Sequence, residues 1–369
     1  MWMGYSRLAQ GKRFYVVASL AASLAALPSC SSSGGSEPGA GRSETGGEGE
    51  VTAPSPSSSP PAPGPSRPSP AGTPVATHGA LRVAGTKIVD AQGSPIALRG
   101  MSLFWSQWGS AFWNAAAVDT LATDWKTTVV RAAMGVDQGG YLQSGAVEKA
   151  RVTTVVEAAI ARGLYVIVDW HDHDAHLHLD AAKAFFDEMA GTYGASPNVL
   201  FEIWNEPIEV PWSTVKSYAT TILSTIRGRG AKNVVIVGSP HWSQDVDAAA
   251  AEPLADANTA YALHFYANTP AHRGPLRAKA MVAINAGRAL FVTEWGTSSA
   301  DGNGTVNATE SQVWLDFLAT NGIGWCNWSL FDKPEAASAL VPGTLPTGPW
   351  SDSALTPSGT FVRDALRKP

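Results

Sequence analysis

Two glutamates occupy matched settings in this chain. Val199 to Trp204 is an apolar run that leads into Asn205-Glu206 and then Pro207. Proline has no N–H to give a strand ladder, so the run reads as a strand that stops just past a carboxylate. Leu290 to Trp295 repeats the pattern, with Glu294 at the end of a second short apolar run. Two carboxyl groups facing one cleft can hydrolyse a glycosidic bond. One protonates the leaving oxygen while the other attacks the sugar carbon or activates water.

Such a pair must be held at strand tips around one mouth. The expected strands are Ile96 to Met101, Thr128 to Met134, Tyr165 to Trp170, Val199 to Trp204, Asn233 to Gly238, Ala260 to Tyr266, Leu290 to Glu294 and Ile323 to Ser329. Helical periodicity fills the gaps at Ala146 to Arg162, Ala181 to Tyr193, Val215 to Arg229 and Ser311 to Thr320. This alternation is the signature of an α/β (β/α)8 TIM barrel, whose active site lies at the C-terminal ends of its strands. An open doubly wound sheet is the alternative, disfavoured because no glycine-rich turn follows the first strand. Leu81-Arg82-Val83 and Lys87-Ile88-Val89 form a short N-terminal β-hairpin ahead of the barrel, with Asp90 to Gly93 as a turn. The strand ends then bring Arg131, Asp169-Trp170-His171, Asn205-Glu206, His264-Phe265-Tyr266, Glu294-Trp295 and Asn327-Trp328 to one face. Histidines, carboxylates and aromatic platforms for sugar rings converge there.

The chain has 369 residues, a formal net charge of −5 and 44% hydrophobic residues, enough for one large core and too near neutral for a nucleic-acid binder. Residues 1–30 place Arg7, Lys12 and Arg13 before the apolar run Phe14 to Leu27, the pattern of a secretory signal peptide. The run is shorter than the roughly 20 residues of a membrane span. Leu27-Pro28-Ser29-Cys30 resembles a bacterial lipobox, which makes Cys30 the candidate lipidation site and the only expected link to a membrane. Residues 31–79 are rich in Ser, Gly and Pro and read as a disordered linker, with residues 80–369 as the catalytic barrel. Cys326 lies in an apolar run, so no disulfide with Cys30 is expected.

Several motifs resemble those of glycoside hydrolase family 5, in particular its bacterial endo-β-1,4-glucanases. They are Arg131-Ala132-Ala133-Met134, Asp169-Trp170-His171, Asn205-Glu206-Pro207, Trp242-Ser243-Gln244-Asp245-Val246, His264-Phe265-Tyr266, Glu294-Trp295-Gly296-Thr297-Ser298 and Asn327-Trp328-Ser329. The resemblance implies a retaining enzyme in which Glu206 is the acid/base, with a raised pKa. Glu294 is then the nucleophile, kept ionised by Arg131 and oriented by Tyr266. Asn205 would hold the sugar 2-hydroxyl, His171 and His264 would position substrate and the acid/base, Trp328 would floor the subsite, and Lys333 would bind substrate. Many relatives carry a histidine near Phe104, where this chain reads Gly100 to Trp108 without one, and Trp105 and Trp108 are candidate sugar platforms.

The resulting expectation is a secreted or cell-surface endoglucanase acting on β-glucan, monomeric, with no cofactor and no resident metal. The run His171 to His178 holds several histidines and acidic residues, and a metal reading of it is set below an ordinary loop beside an acidic cleft. Mannan, xylan, xyloglucan and lichenan are alternative substrates on the same framework. A glycan-binding protein with a degenerate barrel is the competing class, and the presence of both glutamates argues against it. The residues beyond Phe361 are too few for a separate binding module.

Overall fold

The computed structural model describes residues 68–368. The expected signal segment, Cys30 and residues 31–67 of the expected linker lie outside them. Two short strands, β1 (Arg82–Ala84) and β2 (Lys87–Val89), pair antiparallel with Arg82 opposite Val89. Eight parallel strands then close a barrel: β3 (Arg99–Leu103), β4 (Val129–Gly135), β5 (Tyr165–His171), β6 (Val199–Glu202), β7 (Val235–Val237), β8 (Thr259–Tyr266), β9 (Leu290–Gly296) and β10 (Trp325–Leu330). Ring closure, with β10 beside both β3 and β9, rules out the open sheet. Every expected barrel strand is present, with ends shifted by a few residues.

The helices Tyr141–Ala161, Leu179–Tyr193, Trp212–Gly228 and Ala308–Asn321 match the periodic segments. Three further helices were not among the expected segments: Ala115–Thr123, Gly274–Asn285 and Pro357–Arg367. Two of them start at side-chain caps, where Asn114 accepts from the Ala117 N–H at 2.9 Å and Thr356 from the Gly359 N–H at 3.0 Å. Among the described residues no helix is long and apolar enough to cross a membrane.

Strand alternation sorts the buried residues between the barrel interior and the layer that faces the helices. Val129, Arg131 and Ala133 of β4 point inward, while Val130, Ala132 and Met134 pack against the helices. At the N-terminal end the inward residues are apolar: Leu98, Val129, Tyr165, Ile167, Leu200, Ile236, Phe291 and the free buried thiol Cys326. Leu81 and Ile88 of the hairpin close this end. Val75 joins them from Pro74–His78, a helical turn inside the stretch expected to be linker. That turn is held in place, with the Val75 N–H bonded to Gly163 O at 2.9 Å and the Tyr165 hydroxyl to Gly79 O at 2.7 Å. Gly163 has φ +61°, and a side chain there would strike Thr73. The fold therefore begins earlier than residue 80, because one buried valine and two hydrogen bonds offset the ordering of a polar segment. Toward the C-terminal end the interior turns polar, and the site begins there.

Candidate active site

Arg131 occupies the centre of the polar half and is fully buried. Its Nε donates to Glu202 Oε2 at 2.7 Å, and its two amino groups reach Glu294 Oε2 at 3.0 Å, Asp169 Oδ2 at 2.9 Å and Asn205 Oδ1 at 2.6 Å. A buried guanidinium needs such company, since breaking a buried pair costs about 3–5 kcal/mol. Burial opposes its charge, but the carboxylates outweigh burial and hold it protonated well beyond the usual arginine range. Beside it, Asp169 Oδ2 lies 2.7 Å from His171 Nδ1. Burial pushes Asp169 up, against the pull of Arg131, and pushes His171 down.

A bulge in β9 brings Glu294 to this arginine. From Ala262 to His264 on β8 the partners on β9 run from Phe291 to Glu294, and from Trp325 to Asn327 on β10 they run from Val292 to Trp295. β9 thus carries one extra residue relative to both neighbours. Strict alternation would turn Thr293 and Glu294 to opposite faces, and the extra residue lets both serve the interior. Glu294 receives the Tyr266 hydroxyl at 2.7 Å and Arg131 at 3.0 Å. Thr293 donates to Glu202 Oε1 at 2.7 Å and lies 2.8 Å from His264 Nε2.

This relay decides where the proton beside Glu206 resides. Thr293 spends its hydrogen on Glu202, so its oxygen accepts from His264 Nε2–H. His264 Nδ1 then faces Glu206 Oε1 at 2.9 Å, and the proton of that contact belongs to the pair. His173 Nε2 contacts the other Glu206 oxygen at 3.2 Å. Burial raises Glu206, but the two imidazoles outweigh it and carry the carboxyl down to about 2. Burial lowers His264, but Glu202 and Glu206 outweigh it and carry the imidazole up to about 9. The same balance raises His173. Glu294 is pushed up by burial and by the Glu206 charge. The expected order, a raised Glu206 beside a readily ionised Glu294, is thus reversed. Both imidazoles contribute to the lowering of Glu206, and only His264 was expected beside it. One oxygen each of Glu206 and Glu294 and one nitrogen of His264 lie within 4.8 Å of one another.

Glu206, just past β6, and Glu294, on β9, stand on the border between two sectors of the mouth. On the β10-β3-β4-β5 side lie aromatic rings. Trp328 stacks parallel on His171 with centroids 5.2 Å apart, and Trp105 meets His171 edge-on at 4.0 Å. Trp108 tilts against Trp105 at 5.2 Å and is half exposed. Phe104 stacks on Phe331 at 4.4 Å, so the segment that lacks the relatives' histidine is part of an apolar cluster. Lys333 stands at the rim, paired with Glu335 and 5.8 Å from the Phe104 ring centre, away from the central polar cluster. On the β6-β7-β8-β9 side opens a cavity of about 730 Å³ lined by Glu206, Trp242, Asp245, His264, Tyr266, His272, Lys279 and Glu294, among others.

The structure therefore brings Arg131, His171, Asn205, Glu206, His264, Tyr266 and Glu294 into one hydrogen-bonded set, with Trp328 packed against it. The loop histidines after β5 disperse. His173 turns to Glu206, His178 bonds Asp172 at 2.7 Å and His176 stacks on Trp204. Among the described residues, the groups that gather with metal-binding spacing do not include the His171 to His178 run. The sequence raised no expectation for Glu202 or Thr293, and assigned no site role to His173 or to Trp242, although Trp242 stands in one of the motifs. A signal existed for Glu202, since an acidic residue inside an apolar strand requires a buried partner. Thr293 depends on the bulge, which has no sequence mark here.

Comparison with known proteins gives a consistent result. Residues 89–334 match the family model described as cellulase, glycosyl hydrolase family 5. The chain is 47% identical over 282 residues to endoglucanase A of Evansella cellulosilytica, covering 75% of this chain and 57% of the relative. It is 48% identical over 292 residues to endoglucanase Z of Dickeya dadantii, covering 78% and 66% respectively. The chain therefore spans less than two thirds of the length of these two relatives. The crystal structure of the catalytic domain of Thermobifida fusca endoglucanase Cel5A superposes with a TM-score of 0.77. It is 38% identical and covers 80% of this chain and 100% of that one.

Proposed function

Since the chain belongs to the cellulase family, glycosyl hydrolase family 5, we propose that it is a retaining endo-β-1,4-glucanase that cuts internal bonds of cellulose or related β-glucans. The observation that carries this reading is the close approach of Glu206 and Glu294, within 4.8 Å. Retaining pairs stand about 5–5.5 Å apart, whereas inverting pairs need about 6.5–9.5 Å to admit a water.

In the proposed cycle Glu294 attacks the anomeric carbon, with one oxygen fixed by Arg131 and the other by Tyr266. Glu206 protonates the departing oxygen. Its proton comes from the hydrogen bond with His264, a short transfer along an existing contact. Substrate that displaces water destabilises the His264–Glu206 ion pair relative to its neutral form, so substrate binding moves the proton onto Glu206. Glu294 then loses the like charge beside it, which favours its ionised, attacking form. In the second half-reaction the Glu206 carboxylate takes a proton from a water whose oxygen attacks the anomeric carbon. The bond to Glu294 breaks, the sugar leaves with its original configuration, and the proton on Glu206 returns to His264. Asn205, fixed by Arg131, is the proposed grip on the 2-hydroxyl.

The two sectors divide the polysaccharide. Trp105, Trp108 and Trp328 would carry the sugars that stay on the enzyme, with Lys333 at the rim. Trp242, exposed beside Glu206, would carry the departing chain. We further propose export through residues 1–30, anchoring by lipid on Cys30 and action as a monomer at the cell surface. Mass analysis of the processed N-terminus and sedimentation of the purified chain test these points. For the activity, reducing-end release is measured on carboxymethylcellulose, glucomannan, lichenan and xylan, beside Glu206→Gln and Glu294→Gln. Preference for carboxymethylcellulose, lost in both variants, is expected; a larger rate on glucomannan or xylan, or wild-type rates in both variants, overturns the reading.

A further inference from the structure

After β7 the backbone enters an unusual turn. His241, Trp242 and Ser243 have φ of 54°, 56° and 56°, three consecutive residues with side chains in the left-handed region. Each Cβ disfavours that conformation, and such runs persist only where their surroundings enforce them. Here the enforcement comes from two directions.

The first is the segment that carries Glu206. The Trp242 N–H donates to Pro207 O at 3.0 Å, the His241 N–H to Ile208 O at 3.2 Å and the Ser243 hydroxyl to Asn205 O at 2.6 Å. Gly238 permits the approach, because a side chain there would strike Trp204 O and Pro207. The turn is thus mounted on the backbone on either side of Glu206. The second is Asp245. One of its oxygens meets His241 Nδ1 and the other Lys279 Nζ, which comes from the helix Gly274–Asn285. Asp245 therefore ties the turn to a helix that follows β8, across the cavity that Glu206 and Trp242 line.

We propose that Asp245 is a positioning residue for the departing-chain half of the cleft, holding Trp242 in its left-handed setting beside Glu206 through His241 and Lys279. The proposal rests on the glucanase reading above. It assigns the bridge no part in the chemistry at Glu294, so its loss affects only substrates with sugars on the departing side.

Two substrates separate these effects. Cellopentaose fills both halves of the cleft, whereas β-cellobiosyl fluoride leaves as fluoride and places no sugar beyond Glu206. For Asp245→Asn, and independently for the more exposed Lys279→Met, kcat/KM on cellopentaose falls about tenfold, the size of one lost charge-assisted hydrogen bond. On the fluoride it stays within about twofold of wild type, below the change expected for any lost hydrogen bond. Glycine adopts positive φ without penalty, so His241→Gly added to Asp245→Asn restores most of the cellopentaose rate. Equal losses on both substrates, no loss on either, or a double variant as impaired as Asp245→Asn alone each overturn the proposal; the last would mean that Asp245 grips sugar directly. Failure of wild type to turn over the fluoride would instead count against the glucanase reading.

Discussion

His264 Nδ1 lies 2.9 Å from Glu206 Oε1 while His264 Nε2 lies 2.8 Å from Thr293 Oγ1, so a single imidazole joins the acid/base candidate to the buried arginine network. One proton on that ring decides whether Glu206 rests as a carboxylate or an acid.

The pair should leave a mark on stability. His264 is raised to about 9 from an ordinary value near 6.5, so its contribution is complete below about pH 6.5 and is lost as pH rises through about 9. Glu206 is depressed to about 2, so its contribution is complete above about pH 4.5 and is lost as pH falls toward 2. The difference in Tm between wild type and His264→Asn should therefore be largest between about pH 4.5 and 6.5 and shrink on both sides. Thermal melts from pH 3 to 10 check this; a gap that widens toward either extreme would contradict it.

Thr293→Val removes the oxygen that fixes the His264 tautomer while leaving both glutamates in place. Initial rates on carboxymethylcellulose should show kcat down about tenfold, the effect of one lost hydrogen bond in a charged network, with KM unchanged.

For Glu206→Gln, the loss should depend on the leaving group. On carboxymethylcellulose the rate should fall about 10²–10⁴-fold, the usual worth of a general acid. With 2,4-dinitrophenyl β-cellobioside, whose leaving group needs no proton, the first half-reaction should survive and give a burst of dinitrophenol in stopped-flow absorbance.

Much of this arrangement is legible in the sequence because strand residues repeat every second position. Val129, Arg131 and Ala133 share a face whatever the surroundings, and Pro207 ends its strand by chemistry local to itself. The reversed bias of Glu206 and Glu294 is not legible, because it depends on burial of Glu294 and in part on His173, which reaches Glu206 only once the loop after β5 has folded back. Thr293 and Glu294 lie next to each other on a strand, and only the bulge in β9 lets both face inward. Pro74–His78 looked like linker since its order depends on a single buried side chain, Val75, and on contacts with Gly163 and Tyr165 far along the chain.

Tyr266→Phe removes the hydroxyl that lies 2.7 Å from Glu294. A hydrogen bond to a charged group contributes about 1.5–3 kcal/mol, so kcat/KM on cellotetraose should fall about 10–100-fold while the folded state, read by circular dichroism, is retained.

The claim that Glu294 forms a covalent bond to the sugar is tested most directly by trapping. Incubation with 2,4-dinitrophenyl 2-deoxy-2-fluoro-β-cellobioside, followed by peptide mass mapping, should find one fluorocellobiosyl group, attached to Glu294 and absent from Glu294→Gln. Attachment to any other residue, or full inactivation with no covalent adduct, would contradict the account.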